Sequence, residues 1–151
     1  MKRFRFPLES VQNLRRRQLE AEEAKLGPLY QELESIEAAD KQVKQELALE
    51  QSRLASPEMV LRPFDLTVLD QFREFAQRRA VSLHWQKLNC QQRIETQMKA
   101  IRDAKQKYEL LEKLRERELA EWNADLNKEL DALAEEVFIA KWKPVRRRSA
   151  G

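Results

Sequence analysis

The sequence predicts an all-α fold, an antiparallel two-helix coiled-coil hairpin whose second helix is longer than the first. The stretch from Phe64 to Lys143 contains neither glycine nor proline and is rich in strong helix formers. A helix of that length would span roughly 120 Å, which no compact domain of 151 residues could enclose. With 2 glycines and 36% charged residues, the chain offers little for the tight turns of a sheet.

We expect one elongated coiled-coil domain over residues 1–151. Its predicted parts are a helix over 8–54, a loop over 55–64, a helix over 65–142 and a basic tail over 143–151.

The first helix carries a heptad seam in its second half, with apolar residues at alternating spacings of three and four. The positions are Leu26, Leu29, Leu33, Ile36, Asp40, Val43, Leu47, Glu50 and Leu54. The first half follows another phase, through Leu8, Val11, Leu14, Gln18 and Ala21. The slip between the two phases falls near Ala24 to Pro28, and at Gly27-Pro28 we expect a kink or a phase change.

Pro57 and Pro63 mark the linker, and Asp65 is a candidate cap for the second helix. The second seam opens with Leu69, Phe72 and Ala76. After a slip it continues through Leu83, Lys87, Cys90, Ile94, Gln97, Ile101, Ala104, Tyr108 and Leu111.

Both helices rise equally per residue, so residue i of the first should face roughly residue 120 − i of the second. Leu26 then faces Ile94, and Leu8 faces about Glu112. Beyond that point we expect an overhang, roughly residues 113–143, without a partner in its own chain. Its apolar residues are Leu119, Trp122, Leu126, Leu130, Leu133, Val137, Phe138, Ile139 and Trp142.

Within the overhang, Leu126, Leu130, Leu133 and Val137 share one helical stripe, which is typical of a binding surface. The alternative is that the helix breaks near residues 123–127 and folds back.

The two ends of the chain are basic. Phe4 and Phe6 alternate with basic residues, either as a frayed helix entry or as an end that inserts into a partner. We expect the tail after Pro144 to be a disordered, solubilising end, although it could instead touch acidic lipids or nucleic acid. The net charge of only +3 does not indicate nucleic acid binding.

No catalytic, metal or cofactor site is predicted, and we expect a protein that is not an enzyme. His84 and Cys90 are the sole candidates for soft metal ligands, and their spacing puts them on different helical faces. The single cysteine suggests a reducing compartment, and the absence of a long apolar run predicts no integral membrane segment.

Three segments together resemble the flagellar FliJ family, the small coiled-coil component of the type III export apparatus. They are the start Phe4-Arg5-Phe6-Pro7-Leu8-Glu9-Ser10-Val11 with Leu14-Arg15-Arg16-Arg17, the region Asp65-Leu66 with Leu69, Gln71 and Phe72, and the lysine-rich run from Ala104 to Arg117. A late acidic cluster, Glu129 and Asp131 to Glu135, also matches the family's pattern.

The resemblance implies three kinds of partner: the hexameric flagellar export ATPase, the export gate membrane protein and export chaperones. It also implies a cytoplasmic location, peripheral to the inner face of the cell membrane at the flagellar base. The open end of the coiled coil would bind the ATPase through Phe4, Phe6, Leu8, Leu119, Trp122, Leu126, Leu130, Leu133, Val137 and Trp142. The gate would bind at Phe72 and Ala76.

Two other functional classes stay open. One is a nucleic-acid or acidic-membrane binder that uses the basic termini. The other is a structural coiled coil that associates with itself through the overhang.

Overall fold

The structure is a computed structural model that describes residues 3–55 and 62–149, with side chains as far as residue 142. That part of the chain contains three α-helices and no strand: α1 (Glu9–Ala24), α2 (Leu26–Leu54) and α3 (Pro63–Ser149). The predicted all-α hairpin with a longer second helix is therefore confirmed, with α1 and α2 forming its first arm.

The chain divides into two compact units. The hairpin unit comprises Gln18–Ala104, and the terminal unit comprises Met1–Arg17 together with Lys105–Gly151. In each unit an early stretch of the chain runs antiparallel to a stretch of α3.

The core of the hairpin unit lies between α2 and α3. Ile36, Leu83, Cys90 and Ile94 are buried there, and leucines of α2 pack against them. The register is set by Cys90, whose Sγ donates a hydrogen bond to the backbone carbonyl oxygen of Leu29 at 3.4 Å. This pair agrees with the predicted antiparallel register within one residue.

The predicted seams of α2 and α3 are confirmed at every position. Each residue from Leu26 to Leu54 and from Leu69 to Leu111 that was assigned to a seam is buried or half-buried. The slip in the second seam also occurs. Ala80 is half-buried, so a spacing of four lies on both sides of Ala76.

The predicted phase for the first half of the first helix is wrong. Leu8, Val11, Leu14, Gln18 and Ala21 are all exposed. The inward positions are instead Gln12, Arg15, Leu19 and Glu22. These continue the heptad of α2 without a slip. At the inward position Glu22, the backbone carbonyl and carboxylate oxygens accept hydrogen bonds from the Gln97 side chain of α3.

The first arm is interrupted at Lys25, within the predicted range of Ala24 to Pro28 and just before Gly27-Pro28. The backbone N–H of Lys25 donates to the carbonyl oxygen of Glu22 at 3.2 Å, which closes α1. Pro28 then lies in the first turn of α2, where a backbone N–H has no acceptor within the helix. The proline therefore costs α2 no hydrogen bond.

The helix α3 begins at Pro63, two residues earlier than predicted. Pro63 occupies the first helical position, where its fixed φ is favourable. Asp65 is the third helical residue, and its carboxylate accepts a hydrogen bond from the backbone N–H of Arg62 at 3.2 Å. Asp65 thus reaches back to the cap position and does not itself occupy it. The predicted loop over 55–64 lies largely in residues 56–61, outside the described residues.

The predicted end of the second helix at residue 142 is also wrong, because α3 continues to Ser149. The fixed φ of Pro144 is compatible with a helix, and the residue removes one backbone donor. The expected disordered tail after Pro144 is thus helical through Ser149, and residues 150 and 151 lie outside the described part.

Candidate protein-binding surfaces on the terminal and hairpin units

The main candidate surface is the C-terminal stripe, defined as Leu126, Leu130, Leu133 and Val137 of α3. Spacings of four, three and four place these side chains within an arc of about 60° on one helical face. Leu126 is half-buried, whereas Leu130, Leu133 and Val137 are 41%, 56% and 55% exposed. The helix runs without interruption through residues 123–127, so the alternative of a break and a fold back is wrong.

The beginning of the predicted overhang is covered by the N-terminal segment, defined as residues 3–8. The rings of Phe4 and Trp122 lie 6.1 Å apart with a tilt of 58°, and Phe6 is 5% exposed. The expectation that α3 lacks a partner in its own chain beyond Glu112 is therefore wrong as far as Trp122.

The cause is the backbone conformation of the N-terminal segment, which is not helical. An extended residue advances roughly 3.3 Å, more than twice the 1.5 Å rise of a helical residue. Residues 3–6 are not helical, and the backbone N–H of Glu9 donates to the carbonyl oxygen of Phe6 at 3.1 Å, so the segment enters α1 through a turn. Each residue before that turn can advance further along α3 than a helical residue would. A register derived from helices alone underestimates this reach.

Opposite charges line the groove between the N-terminal segment and α3. Arg3 and Arg5 contribute from one side, and Glu118, Glu121 and Asp125 contribute from the other. Complementary charge favours the packing already indicated by the aromatic pair.

The residues predicted to bind the export ATPase are therefore not equivalent. Phe4, Phe6 and Trp122 pack within the terminal unit. The exposed members of that set are Leu8, Leu119, Leu130, Leu133, Val137 and Trp142.

Trp142 lies on a different face from the C-terminal stripe. It follows Val137 by five residues, which corresponds to a rotation of about 140° around the helix axis. Together with Phe138 and Ile139 it forms the distal aromatic face, and each of the three side chains is at least half exposed. The rings of Phe138 and Trp142 are 6.4 Å apart. All three residues belong to the predicted overhang, but the prediction did not separate the two faces.

The predicted gate-binding pair is divided by the structure of the hairpin unit. Ala76 is 2% exposed and belongs to the buried seam, so it offers no surface to a partner. Phe72 is half-buried and lines a groove between the end of α2 and the beginning of α3. The exposed apolar residues nearby are Phe64, Val68 and Phe75, which we call the loop-proximal face.

A further exposed patch on α3 consists of Val81, Trp85 and Leu88. This outer patch was not predicted, although its spacing of four and three is visible in the sequence. The spacing alone could not separate an outer apolar row from the buried seam beside it.

His84 and Cys90, the candidate soft metal ligands, both contact other side chains or the backbone of the hairpin unit. Cys90 is fully buried in the seam, as predicted, and the His84 ring meets Trp85 edge-on at 6.2 Å. Among the residues that the structure describes, no group of three or more His, Cys, Asp or Glu side chains could hold a metal ion. No helix in the same residues is long and apolar enough to cross a membrane.

Polar contacts tie α3 to the first arm of the hairpin unit. The Arg93 guanidinium donates to the Glu32 carboxylate, which lowers the pKa of Glu32 and raises the pKa of Arg93. Lys87 pairs with Glu37 at 3.6 Å.

In the terminal unit, a hydrogen bond with Glu112 raises the pKa of Tyr108.

Comparison of the chain with models of known protein families, with curated proteins and with solved structures finds no match.

Proposed function

We propose that this chain is a protein-binding component of the flagellar export apparatus, as its resemblance to the FliJ family implies. In this role it binds the hexameric export ATPase, promotes assembly of the ATPase ring and couples ATP hydrolysis to protein export. It acts by contact and not by catalysis. The observation that carries the proposal is the exposed C-terminal stripe.

The stripe is suited to a partner that presents a helix or a groove, because its apolar residues have the same spacing as the seam between α2 and α3. Leu130, Leu133 and Val137 present the same a and d pattern that α2 buries against α3. A row of this kind that stays exposed on a single helix is typical of a binding site.

The charges beside the stripe indicate which charged residues the ATPase surface should present to it. In the heptad of the stripe, Glu129 and Glu136 occupy one flank, and Asn127, Ala134 and Lys141 occupy the other. A partner with basic residues along the acidic flank would gain attraction there and would be selected over an acidic surface.

We propose that the export gate binds the loop-proximal face together with Phe72. Phe64, Val68 and Phe75 are exposed, whereas Ala76 is not, so the contact differs from the one that the family resemblance implied. Attachment to the gate would hold the chain at the inner face of the cell membrane, and export chaperones are the third proposed class of partner.

The test uses purified chain and purified export ATPase from the same flagellated source. A variant with Leu130→Gln, Leu133→Gln and Val137→Gln should lose both co-purification with the ATPase and stimulation of ATP hydrolysis. The matched control replaces an equal number of exposed apolar residues of α3, as Val81→Gln, Trp85→Gln and Leu88→Gln, and should retain both. Full stimulation by the stripe variant would overturn the assignment of this surface.

Self-association is the competing use of the same stripe. An antiparallel pair of stripes would bring the acidic flank of one copy against that of the other, because equivalent flanks face each other in that arrangement. We therefore expect a monomer in sedimentation equilibrium. A concentration-dependent dimer that the stripe substitutions abolish would favour the structural coiled coil instead.

A further inference from the structure

We propose that the last described turns of α3 bind the surface of an anionic lipid bilayer, with the distal aromatic face inserted among the headgroups. This inference does not rest on the proposed role in export, since it requires only the chain and a membrane.

The first argument is the geometry of Phe138, Ile139 and Trp142. They fall within an arc of about 100° that points away from the C-terminal stripe. Each is at least half exposed, so a flat apolar surface is available without any unfolding. Tryptophan and phenylalanine with an aliphatic neighbour form the kind of side-chain set that partitions into the interface of a bilayer.

The second argument is the distribution of charge along the end of the chain. No acidic residue follows Glu136, whereas Lys141, Lys143 and the run Arg146-Arg147-Arg148 are all basic. The net charge of +3 for the whole chain hides this concentration. Basic residues adjoining an inserted apolar face are attracted by the negative surface potential of anionic lipids.

The backbone supports the joint use of both features. Because α3 continues to Ser149, the distal aromatic face and the basic run belong to one helix. One apolar contact or a few charges alone give weak binding to membranes, and stable attachment generally combines two such signals.

Acidic residues limit the contact to the end of the helix. Asp131 and Glu135 lie one to two turns earlier on the same side as Phe138 and Trp142. An anionic surface would repel them, so we expect the contact to begin at Phe138.

A lipid surface fits these residues better than nucleic acid does. Nucleic acid binding relies on phosphate contacts and on aromatic stacking with bases. It would leave Ile139 without a role, whereas insertion into a bilayer uses the aliphatic and the aromatic side chains together.

The experiment is co-sedimentation of the full chain with vesicles of phosphatidylcholine alone or mixed with phosphatidylglycerol. The wild type should bind the mixed vesicles and not the neutral ones. Replacing Phe138→Gln and Ile139→Gln should weaken binding at least about tenfold, as expected for two apolar side chains that lose their burial. The control Leu130→Gln with Leu133→Gln removes exposed apolar surface from the other face and should bind normally.

A second readout reports insertion directly. In a chain that carries Trp85→Phe and Trp122→Phe, the emission of Trp142 should shift to the blue when mixed vesicles are added. Trp85, Phe138 and Ile139 are exposed, and Trp122→Phe keeps an aromatic ring beside Phe4, so helicity by circular dichroism should be unchanged in all variants.

Three results would overturn the proposal. They are equal binding to neutral and mixed vesicles, undiminished binding by the Phe138 and Ile139 variant, and displacement from vesicles by double- or single-stranded DNA at comparable concentration. The last result would assign the basic end to nucleic acid.

Discussion

The side-chain amide of Gln97 donates hydrogen bonds to Glu22 at two points, its backbone carbonyl oxygen at 2.7 Å and its carboxylate at 2.6 Å. Glu22 lies in the last turn of α1, where backbone carbonyl oxygens lack the N–H donors that a continuing helix would supply. Gln97 is therefore more than a polar interruption of the α3 seam. It satisfies the end of α1 immediately before the break at Lys25 and holds the first arm in register.

Replacement of Gln97 should consequently destabilise the hairpin unit. Gln97→Leu keeps a similar volume but leaves the Glu22 carbonyl without its side-chain donor. We expect the midpoint of thermal unfolding to fall by roughly 2–4 °C, as for a loss of one net hydrogen bond in a chain of this size. The exposed Gln91→Leu on the same helix is the control, and an equal fall in both variants would contradict the role of Gln97.

The core of the hairpin unit should be sensitive to loss of volume at Leu83, which is buried against Ile36 and Cys90. Leu83→Ala is expected to lower the free energy of unfolding by about 2–4 kcal/mol, because it removes apolar contacts and leaves a cavity. The measurement is urea denaturation followed by circular dichroism.

The control for Leu83 is Leu49, a strongly exposed leucine of α2. Leu49→Ala should change the free energy of unfolding by less than about 0.5 kcal/mol. Comparable effects of the two substitutions would mean that α2 does not bury its Ile36 face against Leu83.

Acid should weaken the hydrogen bonds that α3 makes with Glu22 and Glu32 of the first arm. A hydrogen bond from Gln97 lowers the pKa of Glu22, and a hydrogen bond from Arg93 lowers the pKa of Glu32, both from the usual 4.5. A carboxyl group whose pKa is lower in the folded chain than in the unfolded chain stabilises the fold at any pH above its unfolded pKa. That stabilisation is lost as the pH falls from the unfolded pKa through the folded pKa. Stability should therefore decline as the pH falls below 4.5.

The double variant Glu22→Gln with Glu32→Gln tests this assignment. Its thermal midpoint should be lower than that of the wild type at neutral pH and should fall less steeply on acidification. Glu20→Gln with Glu34→Gln makes the same change in net charge at exposed positions and serves as the control. Identical acid profiles for wild type and the Glu22 and Glu32 variant would exclude these two carboxylates as the cause.

The contact between Phe4 and Trp122 predicts a change in fluorescence. In a chain with Trp85→Phe and Trp142→Phe, Phe4→Ala should shift the emission of Trp122 to the red, because the ring loses a neighbour that shields it from water. Phe75→Ala, which removes an exposed ring of the hairpin unit, should leave the emission unchanged. An unaltered spectrum for Phe4→Ala would indicate that the N-terminal segment does not pack on α3.

The C-terminal stripe should contribute little to the stability of the isolated chain. Leu133→Gln replaces an exposed residue with another good helix former, so the midpoint of thermal unfolding should stay within about 2 °C of the wild type. A large fall would show that the stripe already packs within the molecule, and it would remove the main support for a partner there.

Much of the hairpin was predictable because two simple rules govern it. Apolar residues at spacings of three and four identify the seams of α2 and α3, and equal rise per residue identifies facing pairs such as Leu29 and Cys90. The rules fail in α1, where polar or charged residues occupy most of the inward positions. Gln12 is buried and Leu14 is exposed, which is the opposite of what hydrophobicity alone predicts.

The candidate surfaces were predictable in part. The stripe formed by Leu130, Leu133 and Val137 follows from its spacing, and these residues are exposed as expected. The partners of Phe4 and Phe6 could not be derived, because a register based on helical rise does not describe a segment that is not helical. Ala76 was placed on a surface by analogy with a family, although its own position in the seam indicated burial.

By itself the sequence determined the helices, the antiparallel direction and the two seams, since these depend on local propensity and on a repeating apolar pattern. Tertiary structure alone decided which phase of α1 faces inward, how far the N-terminal segment reaches along α3, and which apolar residues remain exposed. Those features depend on what lies opposite each side chain. A heptad places a residue on a face of its helix, but only the packed neighbour determines whether that face meets protein or water.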